Sequence, residues 1–306
     1  MLWSARTNAP VVAMAAGPAG QLYYLSADGY LYALSPDGRE LFRRRAAGRS
    51  LLVGSGGTVY YLTRSGFLAA MAPDGVRQWK LRVGKGAGPL GLASDGSAIY
   101  GGADGGLFSA GSDGRLNWHV SFLGLRTLAV SQDGGLVAEN RDQAVAFSAD
   151  GSEGWSASPW SASPSGGIAV SGDVVYAGAG DGLYALSLAE GTLLWRYGLP
   201  SGVSAGPVAG PDDAVYFGFA GGLEARGSDG SLLWVQKGLQ LAEKTPLIPG
   251  HGGTVVVGDY NRAAFMERNG AFRWVGARFP GISAMVLSEG GILYIGTKSD
   301  RVYAIR

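Results

Sequence analysis

Cysteine is missing from all 306 residues. Its absence excludes disulfides, thiolate nucleophiles, Cys-based zinc sites and lipid attachment through Cys. Histidine is almost as scarce, and only His119 and His251 could serve as imidazoles. Charge is thin as well: 16% of residues are charged and the net charge is +1. That balance supplies no field to steer nucleic acid or an anionic membrane. No apolar run reaches the roughly 18 residues of a membrane helix, so no span is expected. There is no Gly-X-Y period, which excludes a collagen-like chain. What remains is 46% hydrophobic, with 53 Gly, 14 Tyr and 8 Trp. That is too apolar and too aromatic for disorder.

The opening Met1-Leu2-Trp3 has no basic segment leading into an apolar core, so no signal peptide is read there. This fits a cytoplasmic chain, and equally one from which a leader or upstream domain has been removed. Low charge and lack of Cys favour the extracytoplasmic setting, periplasmic or secreted, as the expectation.

The chain repeats itself. Val174 to Gly198 reads VVYAGAGDGLYALSLAEGTLLWRYG, with relatives starting at Leu22, Val59 and Val215. Each copy ends in an aromatic residue that follows a turn Gly by four or five positions. These are Trp3, Phe42, Trp79, Trp118, Trp155, Trp195, Trp234 and Trp274, spaced by 39, 37, 39, 37, 40, 39 and 40 residues. The sequence therefore counts eight units.

Each unit holds short apolar runs separated by turn dipeptides. In the first, Leu22–Leu25 and Leu31–Leu34 flank Asp28-Gly29, and Asp37-Gly38 leads to Leu41-Phe42. Asp-Gly between β-prone runs signals a hairpin, because Gly accepts positive φ. No stretch sustains a period near 3.6. A unit of about 40 residues and four antiparallel strands, a to d from the inside outwards, is a β-propeller blade.

The last unit stops after Val302-Tyr303-Ala304-Ile305 and lacks strand d, which the first residues can supply. The expected fold is a single all-β, eight-bladed propeller spanning 1–306, closed by its N-terminal strand. Residues 1–7 form strand d of the last blade. Blades follow at 8–46, 47–84, 85–122, 123–160, 161–199, 200–238 and 239–278, and 279–306 gives strands a to c of the last.

The unit at Val174–Gly198 resembles the pyrroloquinoline-quinone-type propeller repeat. Ala185, Ser187, Glu190, Gly191 and Trp195 fall where that family carries its tryptophan-docking motif, with Ser187 and Glu190 departing from it. Six other units have a turn one residue shorter. The resemblance makes the repeated aromatics structural, each packing on the next blade. It also offers two functional branches. Quinoprotein dehydrogenases use the quinone and Ca²⁺ with an adjacent Cys pair, and there is no Cys here. The expected inner strands, from VVAMAAG to AMVLSE, are small or apolar and offer no Ca²⁺ carboxylates or base. The other branch binds proteins and includes lipoprotein propellers of outer-membrane β-barrel assembly, whose anchoring Cys is also missing here. A non-enzymatic, monomeric interaction scaffold without cofactor or metal, with a protein or peptide partner, is the expectation. The alternative is a ligand-sensing propeller domain of a larger receptor or kinase.

Other motifs carry less. His119 sits beside Trp118 on an outer strand and His251 in a Pro-Gly-His-Gly-Gly turn, so no catalytic triad can be assembled. The Asp-Gly turns lack the ligand spacing of Ca²⁺ loops, and Gly84–Gly91 does not precede a helix as a phosphate loop would. Arg43-Arg44-Arg45 with Arg49 forms a basic spot, read as a solvated blade edge and not a nucleic-acid site. The d-to-a links vary where the c–d turns do not, and variable loops on a rigid frame carry function. The candidate partner face is Arg49, Lys85, Arg126, Trp160, Glu243, Lys244, Arg278 and Phe279.

Overall fold

The computed structural model describes residues 1–86, 88–103, 105–210, 213–239, 241, 247–258, 261–275 and 278–306, with the side chains of residues 251 and 274 left outside. The fold is all-β. Eight four-stranded antiparallel sheets follow one another, each pairing in the order a, b, c, d. This is the eight-bladed β-propeller that the spacing of aromatics predicts. The single helical turn among the described residues is a 3₁₀ segment, His251–Gly253.

Blade 5 shows why the sequence takes this form. Its strands are Pro164–Ser171, Val174–Ala179, Gly182–Ser187 and Leu193–Gly198. Strands b and c are buried almost throughout, whereas strand d alternates between exposed and half-buried positions. Middle strands covered on both faces read as continuous apolar runs, and an edge strand reads as an alternation.

Across each sheet one row of side chains repeats. In blade 5, Tyr176 on strand b faces Ala185 on strand c, which faces Trp195 on strand d. Tyr60, Ala70 and Trp79 repeat the row in blade 2, and Tyr294, Ala304 and Trp3 repeat it in the last blade. The small middle residue lets two large rings meet over it. Their centroids lie 6.0, 5.9 and 5.9 Å apart in these three blades, tilted by 41–51°. Tilted ring pairs add a modest stabilisation beyond area alone. One residue past the small side chain the c–d register shifts, as at Ala185/Leu186.

By internal contacts the chain forms two compact units. The first holds Met1–Leu123 with Phe279–Arg306 and contains blades 1 to 3 and the last blade. In the last blade, strands Ile282–Leu287, Leu293–Thr297 and Arg301–Ile305 are completed by Trp3–Arg6, in register from Trp3 opposite Ala304 to Arg6 opposite Arg301. The N-terminal strand thus supplies strand d, as expected. A shared core joins this blade to blade 1 through Val11, Leu22, Tyr24, Tyr294, Val302 and Ala304.

The second unit holds Gly124–Arg278 and contains blades 4 to 7. Its cores lie between successive blades. Tyr176, Leu183, Val203 and Phe217 join blades 5 and 6, and Tyr216, Leu223, Val255 and Met266 join blades 6 and 7.

Candidate partner-binding site

The seam between blades positions the c–d turns beside it. Among the described residues, Trp3, Trp79, Trp155 and Trp195 each donate to a carbonyl 33 residues further on, in the c–d turn of the following blade. Trp3 Nε1 reaches Pro36 O at 2.7 Å and Trp79 reaches Ser112 O at 2.8 Å. In the second unit, Trp155 reaches Leu188 O at 2.7 Å and Trp195 reaches Ser228 O at 2.8 Å. Each ring lies on the turn glycine. A Cβ on Gly38, Gly114, Gly191 or Gly230 would come within 2.5–3.0 Å of ring atoms, and all four have φ between 69° and 89°. Glycine is needed there for both reasons.

Phe42 takes the same seat on Gly75 but has no N–H to give. Arg44 Nε, two residues on, donates to Gly75 O at 3.0 Å instead. Trp234 sits on Gly270, and its Nε1 has no partner among the described residues. Trp118 pairs with Tyr100 at 5.9 Å. The side chain of Trp274 lies outside the described residues.

A buried ion pair braces one of these turns. Arg226 lies 2.6 Å from Glu224, donates to Gly230 O at 2.7 Å and stacks 3.5 Å over Tyr197. Gly230 is the glycine under Trp195, so this clamp on blade 6 holds the seat for blade 5.

Of the candidate link residues, Arg126 and Trp160 flank blade 4 and both reach blade 5. Arg126 donates through Nη1 to Pro164 O, and its backbone N–H bonds Glu139 O at 2.9 Å. Trp160 sets its edge against Tyr184, with centroids 6.3 Å apart and an angle of 81°. The next residue is pinned too. Asp181 Oδ2 accepts from Ser161 N at 3.3 Å, Tyr184 Oη at 2.8 Å and Arg196 Nη2 at 2.8 Å. The two links beside blade 4 are therefore held in place, as a preformed docking surface requires.

The remaining candidates scatter. Lys85 and Arg278 are exposed on their links. Arg49 is exposed but lies inside strand Gly48–Val53, which corrects its assignment to a link. Its physical reason is a β-bulge: Gly48 pairs with Thr63 and Ser50 with Leu62, leaving Arg49 as the extra residue. Phe279 is also corrected. It is 0% exposed and packs edge-on against Tyr303 at 5.1 Å, so it closes the core and offers nothing to a partner. Glu243 and Lys244 lie outside the described residues.

Glu139 escapes a reading of the sequence by repeats. It stands in strand Leu136–Glu139, 1% exposed, where matching positions of other blades carry Leu25, Leu62, Gly178 or Gly218. Its Oε2 has no partner among the described residues. Burial pushes its carboxyl up to about 7, against the opposing pull of Arg126. A carboxylate in a strand position that is elsewhere small or apolar is the signal that could have found it.

In the first unit the inner strands of the last blade and blades 1 and 2 line a cavity of about 500 Å³, walled by Met14, Leu51, Val53, Val286 and Leu287 with Glu289 beside it. Among the described residues no three His, Asp or Glu side chains are grouped to hold a metal. No helix among them is long and apolar enough to cross a membrane.

Four-stranded blades, with six of the repeated aromatic rings seated on a turn glycine of the following blade, define an eight-bladed propeller of docking-motif repeats. The chain belongs to the family of the outer membrane protein assembly factor BamB, which matches residues 1–139 and 106–306. No curated protein sequence matches it. Among solved structures it is similar to the computationally designed protein Ika8, with 19% identity over 98% of both chains and a TM-score of 0.83. BamB from Moraxella catarrhalis shares 16% identity over 99% of this chain and 98% of that one, with a TM-score of 0.77. Sqt1 from Saccharomyces cerevisiae shares 11% over the same proportions, with a TM-score of 0.82. At these identities the likeness is one of fold.

Proposed function

We propose that this protein is a non-catalytic interaction scaffold of the BamB type that works in envelope protein assembly, in the periplasm. A partner protein or extended peptide docks on the d-to-a links, with Arg126 and Trp160 as its main contacts. The observation that carries this reading is the contrast between seam and links. Six seams repeat one ring on one glycine, while the two links beside blade 4 differ from each other and are each pinned, Arg126 to Pro164 and Trp160 to Tyr184. Arg and Trp are also the side chains that most often anchor protein interfaces.

Capture from a periplasmic extract with wild type and with Arg126→Ala/Trp160→Ala tests the site. Wild type retains specific partners and the double variant, folded to the same melting temperature, loses them. The same captured set from both places the site elsewhere. Capture of nothing by wild type favours the sensor reading, for which the cavity beside Met14 and Val286 is the observation. Ligand-induced shifts in melting temperature would then follow.

A further inference from the structure

The basic spot beside Arg49 extends well beyond its own strand. Between Leu41 and Ser94 the sequence carries nine Lys and Arg and a single carboxylate, Asp74. Asp74 sits in the c–d turn of blade 2, where it accepts the N–H of Val76 at 2.9 Å. The opposite end of blade 2, made of the b–c turn and the two d-to-a links beside it, carries cations alone.

Backbone bonds tie that end into one knot. Ala46 N reaches Gly29 O at 2.8 Å, Arg64 N reaches Ala47 O at 3.0 Å, and Val83 N reaches Gly66 O at 3.0 Å. Arg45, Arg49, Arg64, Arg82 and Lys85 all lie in this knot or within two residues of it, and all five are exposed, whereas Asp28, the carboxylate within the same reach on blade 1, is half-buried and accepts from Tyr30 N and Tyr32 Oη. None belongs to an ion pair among the described residues. The bulge at Gly48/Ser50 takes Arg49 out of the ladder. At the matching bulges of the first unit stand Val12 and Ser283, so the cation is particular to blade 2.

We infer that this end of blade 2 is a docking surface for an acidic polypeptide segment. The inference rests on the reading that a partner docks at the d-to-a links, and it gives that partner's chemistry. Charge complementarity selects an anionic occupant, and the surroundings select among anions. Nucleic acid stacks its bases on open aromatic faces. Here Lys80 Nζ covers the Phe67 ring at 3.6 Å and Arg43 lies 5.0 Å over Tyr30. A bilayer surface needs apolar side chains to enter it beside the cations. The large exposed apolar side chain of blade 2 among the described residues is Val76, at the other end. An acidic peptide needs neither feature.

The test uses the whole chain and a fluorescein-labelled dodecapeptide of alternating Glu and Ser, with a Gln-for-Glu peptide as the uncharged control. Anisotropy should show saturable binding of the acidic peptide only, weakened as salt rises. Arg49→Gln/Arg64→Gln/Lys85→Gln should weaken it by roughly tenfold or more, as loss of three exposed charges implies. Arg115→Gln/Lys298→Gln, with cations from other blades, should leave it unchanged. Absence of saturable binding overturns the inference, as does equal weakening by both variants. Anionic vesicles or a 12-nucleotide DNA strand held by these cations, with the peptide left free, also overturns it. So does a dimer in sedimentation that the triple variant dissolves, since the second unit carries fifteen acidic residues against ten basic ones and a second copy would then be the occupant. Peptide binding is scored separately from capture through Arg126 and Trp160. An acidic probe held here while that double variant captures the wild-type set keeps this site and refutes the other.

Discussion

Placing a methyl group under a docked indole should separate two seams that look alike in sequence. At Gly191, an added Cβ would stand 2.5 Å from two ring atoms of Trp155, whereas at Gly230 it would stand 3.0 Å from Trp195. Ordinary carbon contacts begin near 3.5 Å, so the first ring must retreat by roughly 1 Å and the second by about half that. Both glycines have positive φ, 69° and 84°, which costs a substituted Ala about 1–2 kcal/mol at either site. The retreat of Trp155 also strains its 2.7 Å bond to Leu188 O, worth about 1 kcal/mol. Gly191→Ala should therefore destabilise by about 2–3 kcal/mol and Gly230→Ala by about 1–2 kcal/mol. Urea unfolding followed by Trp fluorescence reads the difference. The decisive measurement is a double-mutant cycle with Trp155→Ala. Once the ring is gone the clash is gone, so the double variant should be more stable than the sum of the singles implies, by about 1 kcal/mol. Additivity within about 0.5 kcal/mol would refute the seating of Trp155 on Gly191.

Removing residues 1–7 strips strand d from the last blade, together with the Trp3 bond to Pro36 and its ring pair with Tyr294. The loss should be several kcal/mol, with aggregation through the bared edge Arg301–Ile305; an unchanged melting temperature would disprove the closure. Glu139 should make the protein less stable as pH rises. Its folded carboxyl holds its proton up to about 7, while the unfolded one ionises above about 4.5, so unfolding releases a proton within that window. The contribution falls away between those values by about 3 kcal/mol and is flat beyond them. Glu139→Gln should abolish this slope, and equal shifts in urea midpoint between pH 5 and pH 8 for both proteins would count against it.

Much of the frame was legible because it depends on contacts that repeat. An aromatic every 37–40 residues, and a glycine four positions before seven of the eight aromatics, report the same turn again and again. The missing strand of the last blade pointed directly to Trp3–Arg6. The links were less legible, since each depends on the blade it meets. Nothing local tells that Phe279 turns inward onto Tyr303, or that the Gly48/Ser50 bulge draws Arg49 into a strand. Arg126 lies on a link between strands, and its hold on Pro164, 38 positions away, is a tertiary fact. Glu139 was hidden by the repeat itself, which draws the eye to what blades share.

The pairing of Trp3 with Ala304 also sets an order of events in synthesis. At roughly 5–20 residues per second, a ribosome needs about 15–60 seconds to reach the strand that the first residues must join. Through that interval the opening strand has no ladder to enter. Its indole is served sooner, because Pro36 and Gly38 emerge only some 35 residues behind it and complete its seat on blade 1. The strand Trp3–Arg6 can thus be moored at the place where its final neighbour will later arrive, so that a pairing across some 300 residues need not begin as a search.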